Sequence, residues 1–376
     1  MKVVHFAPIY IDGWGYQENL LPKYFQDMGH EVCVISPNKL PLQYRSESIM
    51  KKKYFVDNVE IRRINVFFYF SFTFFFTKGL YKILKEKKPQ ILFHHGIGLT
   101  SLLVCGFYKI FNPKCTLFVD NHNDFINQTK SKIRLLFYSK FVLRLFCYFL
   151  MPFVKKFYGV TYSRCDYLES VFKISKKKIE LLPIGSDTLS VEAINLSNEE
   201  LREKYKISPH DFVVISGGKM GKDKGTGSLI RAVEEIKLKG EKIVLVLFGA
   251  INDEYTQNLA DNSKSIEVFG WCDRETTLEL LKMANLAVWP IHHTTLIEDS
   301  IACLTPLILR KTRTTEHLID GNGIFIEEGT FNEIINAIIE IKAFNGYKLV
   351  QNCRLMRKKI DYRTIVNKIL SDSLIN

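Results

Sequence analysis

Residues 217–232 read GGKMGKDKGTGSLIRA, a stretch whose residue types suit a diphosphate. It follows an apolar strand run and opens a helix. Lys219 and Lys224 flank a turn, Gly218 stands beside the first, and Gly225 and Gly227 let the backbone approach a ligand. Unpaired N–H groups at a helix start, with two ammonium groups, complement a multiply charged anion. No G-K-[ST] triplet is present, so the stretch is not a P-loop. A plain solvated turn is the competing reading of the same residues.

The elements that must position this stretch are those of an α/β chain. Residues 2–36 hold the strand runs VVHFA and EVCVIS on either side of a helix-like stretch from Gln17 to Met28. The turn DGWGYQ lies at the carboxyl end of the first strand, where open α/β sheets bind ligands. QILFHHG and TLFVDNH continue the series. A second series starts with FVVISGG and runs through IVLVLFGA, SIEVFGW, LAVWP and PLILR, with helical stretches between. Two doubly wound Rossmann-like domains in tandem are expected, 1–185 and 186–355. The polar run 186–210 reads as a linker, and a last helix within 356–376 as crossing back onto the first domain.

The chain has 376 residues, 47% of them hydrophobic, enough to bury two cores. Its net charge of +12 is uneven. Residues 1–185 hold 28 Lys+Arg against 13 Asp+Glu, while 186–376 hold 24 against 27. A basic half suggests nucleic acid or an anionic membrane surface as partner. The eight cysteines are scattered, with no C-x-x-C pair and no His at zinc-ligand spacing. They read as reduced thiols of a cytoplasmic protein. MKVVHFAPIY reads as a first strand rather than a secretion signal.

The order of landmarks resembles the GT-B glycosyltransferases, specifically the retaining family 4, or group 1, enzymes of surface polysaccharide synthesis. That family's C-terminal half runs strand-GR-x-x-x-x-KG-helix, a strand ending in Gly, F-x-G, then a loop leading to E-A-x-x-x-G-x-P. This chain has GKMGKDKG (218–225), VLVLFG (244–249), VFGWC (268–272), AVWPIHHTTLIEDSIACLTPLIL (287–309) and EHLIDGNG (316–323). GWGYQENLLPKYFQDMGHEVCVIS (13–36) resembles the family's glycine loop, helix and GHEV strand, and LLPIGSD (181–187) its interdomain P-x-G-x-D. The resemblance spans nearly the whole chain. It implies a GT-B fold of two Rossmann-like domains facing a cleft, the first for the acceptor and the second for the nucleotide sugar.

Carried over residue by residue, the resemblance gives Lys219 and Lys224 the donor diphosphate. Asp299 stands at the second Glu of the family's paired-Glu motif and would accept from ribose hydroxyls, with Glu298 as the alternative. Gly270, Trp271 and Cys272 sit where the family grips the base. Gly13 and Gly15 sit in the loop that faces the donor phosphate. His122, in DNHND, resembles the family's active-site His near the donor sugar, and a hydrogen-bonded core His is the competing reading. The first Glu of the pair is missing here. His292, His293, Thr294 and Thr295 stand near its place and could bond phosphate or sugar by other means. Lys for Arg at 219 loses a bidentate fork.

The reaction so implied moves a hexose or N-acetylhexosamine from a UDP- or GDP-sugar to a glycan acceptor with retention of configuration. Diphosphate charge develops as the anomeric C–O bond breaks, and the two lysines would stabilise it. No Asp-x-Asp stands in a suitable loop, so no metal is expected. Two other readings stay open: a catalytically silent GT-B subunit that binds a glycan or partner, and a nucleotide-sugar epimerase on the same fold. A nucleic-acid binder would explain the charge but not the donor motifs.

Residues 66–76, VFFYFSFTFFF, are too short to span a bilayer as a helix, which needs roughly 20 apolar residues. Lysines follow at 78, 82, 85, 87 and 88, and 125–165 holds no acidic residue. At 100° per residue, Lys130, Arg134, Lys140 and Arg144 share an arc of about 120°. Cations interleaved with aromatics suit an anionic lipid surface, which Phe74, Phe75 and Phe76 would enter. The expected place is the cytoplasmic face of the plasma membrane, with a lipid-linked saccharide as acceptor. A buried strand and helix start is the competing reading of 66–76.

Overall fold

A computed structural model gives the fold and describes residues 1–39, 51–71, 74–125, 141–344 and 346–374. The chain forms two compact units, Met1–Pro183 with Tyr362–Asn376, and Ile184–Asp361.

The first unit is built on a nine-stranded sheet: β1 (Lys2–Phe6), β2 (Glu31–Pro37), β3 (Lys53–Val56), β4 (Val59–Ser71), β5 (Phe74–Lys78), β6 (Ile91–His94), β7 (Thr116–Asn121), β8 (Val154–Gly159) and β9 (Ile179–Leu181). Their order is β3-β4-β2-β1-β6-β7-β8-β9, with β5 added to β4. All pairs are parallel except β3/β4 and β4/β5. Runs such as VVHF and ILFH are continuous because parallel strands are covered on both faces. Side chains alternate between those faces. Val4, Phe6, Leu92 and Leu117 join a cluster with helices α2 (Leu80–Lys87), α3 (Leu99–Phe111), α4 (Arg144–Leu150) and α5 (Tyr162–Ser170). On the other face His5 meets Phe25 of α1 (Gln17–Asp27), and Phe93 stacks near Phe118 and Tyr158. The last helix of the chain, Tyr362–Leu374, also covers this face. Its Tyr362 ring lies 5.1 Å from Tyr24, and Tyr158 donates to its Asp372 at 2.6 Å.

The second unit has a six-stranded parallel sheet: β10 (Phe212–Met220), β11 (Ile243–Ile251), β12 (Ile266–Val268), β13 (Leu286–Trp289), β14 (Leu307–Arg310) and β15 (Gly323–Ile326). The order β12-β11-β10-β13-β14-β15 is that of a doubly wound nucleotide-binding sheet. One face packs on α8 (Thr226–Leu238) and α12 (Phe331–Ala343). The other packs on α7 (Asn198–Lys204), α10 (Arg274–Met283), α11 (Leu296–Ala302) and α13 (Gly346–Ile360). Two short helices, α6 (Thr188–Glu192) and α9 (Glu254–Asp261), complete the unit, and Tyr362–Leu374 is α14.

Two expectations change. The chain leaves the first unit after Pro183, and residues 356–360 finish α13 in the second unit, so α14 alone crosses back. Residues 186–210 are not a linker. Asp187 caps α6, a Ser197/Glu200 capping box opens α7, and Val191 and Leu201 are buried. The S-x-x-E at 197–200 is the signal for that helix start.

The aromatic stretch forms two antiparallel strands, β4 and β5, rather than a buried strand and helix start. Phe75 is 2% exposed and belongs to the core, which corrects its place among the membrane-facing residues. Phe67, Phe68 and Phe76 are exposed, and Phe67 and Phe68 each make a ring contact with Phe76. Lys130, Arg134 and Lys140 lie outside the described residues, as does the side chain of Phe74.

Candidate functional site

In the second unit the strand order reverses between β10 and β13, and ligands of such sheets bind outside the carboxyl ends there. Two loops leave from that point. The first is 221–225 after β10, the second 290–295 after β13. They touch, since a Cβ at Gly225 would meet Pro290 and Ile291 at 3.0 Å and one at Gly218 would meet Leu296 at 3.3 Å. Gly225, at φ +75°, is the N-cap of α8 and supplies no side-chain cap; the Thr226 N–H turns back to the Gly221 carbonyl at 3.3 Å, and the Gly227 and Ser228 N–H groups follow it in the first turn. Gly218 lies beside Gly249, where a Cβ would stand 2.2 Å from the Gly218 carbonyl oxygen. Only glycine permits that approach.

Lys219 is exposed at the end of β10, and Lys224 sits in the turn, 3.1 Å from Asp223. Burial, then the nearby Lys224 charge, holds His292 below its ordinary pKa. Thr294 and Thr295 are half-buried, and Thr295 is the N-cap position of α11. Gly270 hydrogen-bonds Gly249 through its carbonyl, Trp271 is 79% exposed, and Cys272 is half-buried against the core. These lie in the loop after β12.

The two neighbouring acids have separate environments. Asp299 gives both oxygens to Arg274, whose guanidinium also reaches Asp187 at 3.2 Å. Burial pushes the Asp299 carboxyl up against the pull of Arg274. This cluster ties the starts of α6 and α10 to α11. Glu298 has one oxygen 2.8 Å from His293 Nε2, and its other oxygen, equally buried, has no partner. Of the two carboxylates, Glu298 alone keeps an oxygen that its protein neighbours leave unused, at a side chain 1% exposed. Neither Arg274 nor Asp187 was legible as a partner of Asp299, because the contact joins positions far apart in sequence.

In the first unit, loops after β1, β6 and β7 leave neighbouring strand ends. Gly13 is exposed at φ +76°, Gly15 is half-buried, and Asn19 pins the loop by donating to the Ile11 carbonyl at 2.8 Å. After β7 the Asn121 amide binds the Asn123 and Arg164 carbonyls, which fixes the turn that carries His122. Asp120, fully buried, accepts from Gly96 N–H at 2.7 Å and His95 Nδ1 at 2.8 Å, with His122 Nε2 at 3.4 Å. His95 in turn meets His5 at 3.1 Å. Burial alone would lower the His122 pKa, but Asp120, with Glu18 behind it, holds it above the ordinary value. The sequence points to His122 and to His95 as a structural residue, and leaves Asp120 and His5 without a role. The available signal was polar residues inside strands that are otherwise continuously apolar.

Glu18, His95 and His122 each bring one ligand atom within 4.8 Å of the others. His95 already has both nitrogens engaged, by Asp120 and His5, so the set is a hydrogen-bonded chain rather than an open coordination site.

Exposed Phe107, Ile110 and Phe111 on α3, and Leu145, Tyr148 and Phe149 on α4, extend the apolar surface of the hairpin, since α3 packs against β5, α2 and α4. Exposed Lys78, Lys82, Lys85 and Arg144 lie on the same elements. No helix among the described residues is long and apolar enough to cross a membrane.

Residues 21–188 match the model of Glycosyltransferase Family 4, and 197–354 that of Glycosyl transferases group 1. CapM of Staphylococcus aureus, a capsular polysaccharide biosynthesis glycosyltransferase, is 28% identical over 203 residues, 47% of this chain and 52% of CapM. The chain thus matches about half the length of that curated relative. Among solved structures, a glycosyltransferase from Rickettsia africae is similar with a TM-score of 0.71 at 15% identity, over 99% of this chain and 97% of its own. Anabaena HepE, in complex with UDP and glucose, gives 0.66 at 15%, over 99% and 98%. At such identities the likeness carries the fold, which is GT-B. With one model covering most of each unit, the chain belongs to the group 1 glycosyltransferases, an enzyme family, and its first unit is of the Family 4 type.

Proposed function

We propose that the protein transfers a hexose or N-acetylhexosamine from a UDP- or GDP-sugar to a lipid-linked glycan, with retention of configuration, in the synthesis of a surface polysaccharide. The observation that carries this reading is the pair of touching loops at the switch point of the second unit. Beside them stand Lys219 at the end of β10, Lys224, the start of α8 and the unpartnered oxygen of Glu298 in α11. The lysines and helix N–H groups stabilise the diphosphate as it leaves, and Glu298, in place of Asp299, accepts from the ribose. Gly270, Trp271 and Cys272 flank the base, and His122 serves the donor sugar. The likeness to CapM supports a capsule-type product, and the UDP and glucose held by HepE support a UDP-sugar.

The acceptor reading rests on the first unit's surface. Each cation near an anionic bilayer contributes about 1 kcal/mol, and each buried Phe roughly 1.5–3 kcal/mol. A handful of each holds a protein on the inner face of a plasma membrane. The test is incubation with a panel of nucleotide sugars and lipid-linked saccharides, following nucleoside diphosphate release and product mass. Release that requires a lipid-linked acceptor supports the reading. A chain that binds nucleotide sugars and releases nothing with any acceptor is a silent subunit instead.

A further inference from the structure

β7 is buried on both faces, where an ionised carboxylate persists only with its lone pairs engaged. Asp120 meets that condition. Gly96 N–H lies on one oxygen, and His95 Nδ1 and His122 Nε2 share the other, at 2.7, 2.8 and 3.4 Å. An ionised carboxylate only accepts, so His95 turns an N–H toward it, and His122, at its 3.4 Å ion-pair distance, can face it only as a donor. His95 therefore carries its proton on Nδ1 and accepts on Nε2 from His5 Nδ1, 3.1 Å away. This direction is set at the far end of the chain. His5 Nε2 is buried with no hydrogen-bond partner, and a bare lone pair there costs less than an orphaned N–H. The donors thus run one way, from His5 to His95 to Asp120.

His122 stands on the other side of Asp120. Its Nε2 is buried at the longer, ion-pair distance of 3.4 Å from Asp120 and has no other partner, while 32% of its side chain stays accessible. The groups that face it are Asp120 and Glu18, which favour its charge, Arg164, which opposes it, and His95, which shares the same oxygen. We propose that Asp120, backed by His95 and His5, is a positioning residue that takes the Nε2–H of His122 and leaves Nδ1 as the atom offered to a ligand. A flipped ring loses the carboxylate, so the orientation is held. In the imidazolium form, Nδ1–H donates to an oxygen of the donor sugar or its phosphate. This use rests on the reading of His122 given under Proposed function.

Long-range 1H–15N spectra of the full chain with labelled histidines read the tautomers directly, the His122 signals being those lost in H122Q. At a pH about two units above the ordinary His value of about 6.5, His122 is expected as the Nε2–H form and His5 as the Nδ1–H form. The His122 midpoint is expected above the ordinary value, falling by about one unit or more in D120N. The tautomers are read in the unmodified protein, so a D120N chain that fails to fold leaves that result decisive. With a donor that the wild type turns over, the rate is expected to decline as pH rises through the His122 midpoint, and to decline earlier in D120N. His122 as the Nδ1–H form, or a midpoint unmoved in folded D120N, overturns the proposal. Absence of turnover with every nucleotide sugar counts against the proposed function and leaves the spectra as the test of this one.

Discussion

Replacing Asp299 and Glu298 in turn separates two carboxylates that are adjacent in sequence and have different work. The Asp299 side chain is 6% exposed and spends both oxygens on Arg274, which also holds Asp187. Asp299→Ala therefore strips one carboxylate from a largely buried guanidinium. Removing one partner of a buried ion pair costs about 3–5 kcal/mol. Arg274 keeps Asp187 and is 24% exposed, which places the loss at the low end, about 3 kcal/mol. At about 2–4 °C per kcal/mol for a unit of this size, the melting midpoint falls by about 6–12 °C. Glu298→Gln keeps the volume and still offers His293 an acceptor, but it sets a buried NH2 where the unpartnered oxygen stood, at a cost of about 1 kcal/mol or more, so the midpoint falls by at least about 2 °C. It removes the charge on the oxygen that has no partner. A hydrogen bond to a charged group is stronger than a neutral one by about 1–1.5 kcal/mol, so nucleoside diphosphate affinity falls about five- to tenfold. Scanning calorimetry and isothermal titration with UDP and GDP measure both. A fully stable Asp299→Ala chain with weak nucleotide binding, beside a Glu298→Gln chain that binds normally, would refute the reasoning and return the ribose to Asp299.

Lys219→Ala and Lys224→Ala are each expected to lower kcat by about 10²–10³ with the circular dichroism unchanged; wild-type turnover in both would remove the diphosphate site. The protein should co-sediment with anionic vesicles more than with neutral ones, and less as salt rises, because charges beyond a Debye length of about 8 Å are screened. Replacing Phe67 and Phe76 with Ser should abolish the salt-resistant remainder without lowering the melting midpoint, whereas Phe75→Ser should destabilise the first unit. A wild type that ignores both kinds of vesicle ends the membrane reading. Glu333 accepts backbone N–H groups at the start of α12, which holds its carboxyl down to about 2 from an ordinary 4.5. A depressed carboxyl stabilises above its unfolded value, so this contribution is lost as pH falls from about 4.5 toward 2. Glu333→Gln should flatten the fall of the second unit's melting midpoint across that window; an unaltered profile would show that the cap carries no such linkage.

The parallel sheets were legible because burial on both faces leaves an unbroken apolar run, as in FVVIS and IVLVLF. The loop after β10 was legible because its glycines and lysines lie close together in sequence. Partnerships between distant strands and helices were not. Nothing local to Asp299 reveals Arg274, and nothing local to His122 reveals the His95–His5 chain under it. The aromatic run misled for a related reason. In a hairpin one face goes inward and the other outward, so Phe75 and Phe76 part company although they are neighbours. The helices at 188–204 are short, and their capping residues rather than their apolar periods announce them.

Where the chain enters and leaves the second unit, its two ends are stitched together. Ser186 pairs with Asp361 in a parallel bridge, Ser186 N–H donates to the Ile360 carbonyl at 2.8 Å, and Thr188 donates to Asp361. The second unit is thus an insertion with adjoining ends, and a chain cut to 184–361 keeps its own closure. The first unit has no such independence during synthesis. Its face bearing Tyr24 and Tyr158 stays uncovered until α14 is made, after the whole of the second unit. At about 5–20 residues per second, that wait is on the order of ten seconds or more. Ribosome-bound chains that stop before Tyr362 should therefore carry a finished second unit beside a first unit that still exposes tyrosines.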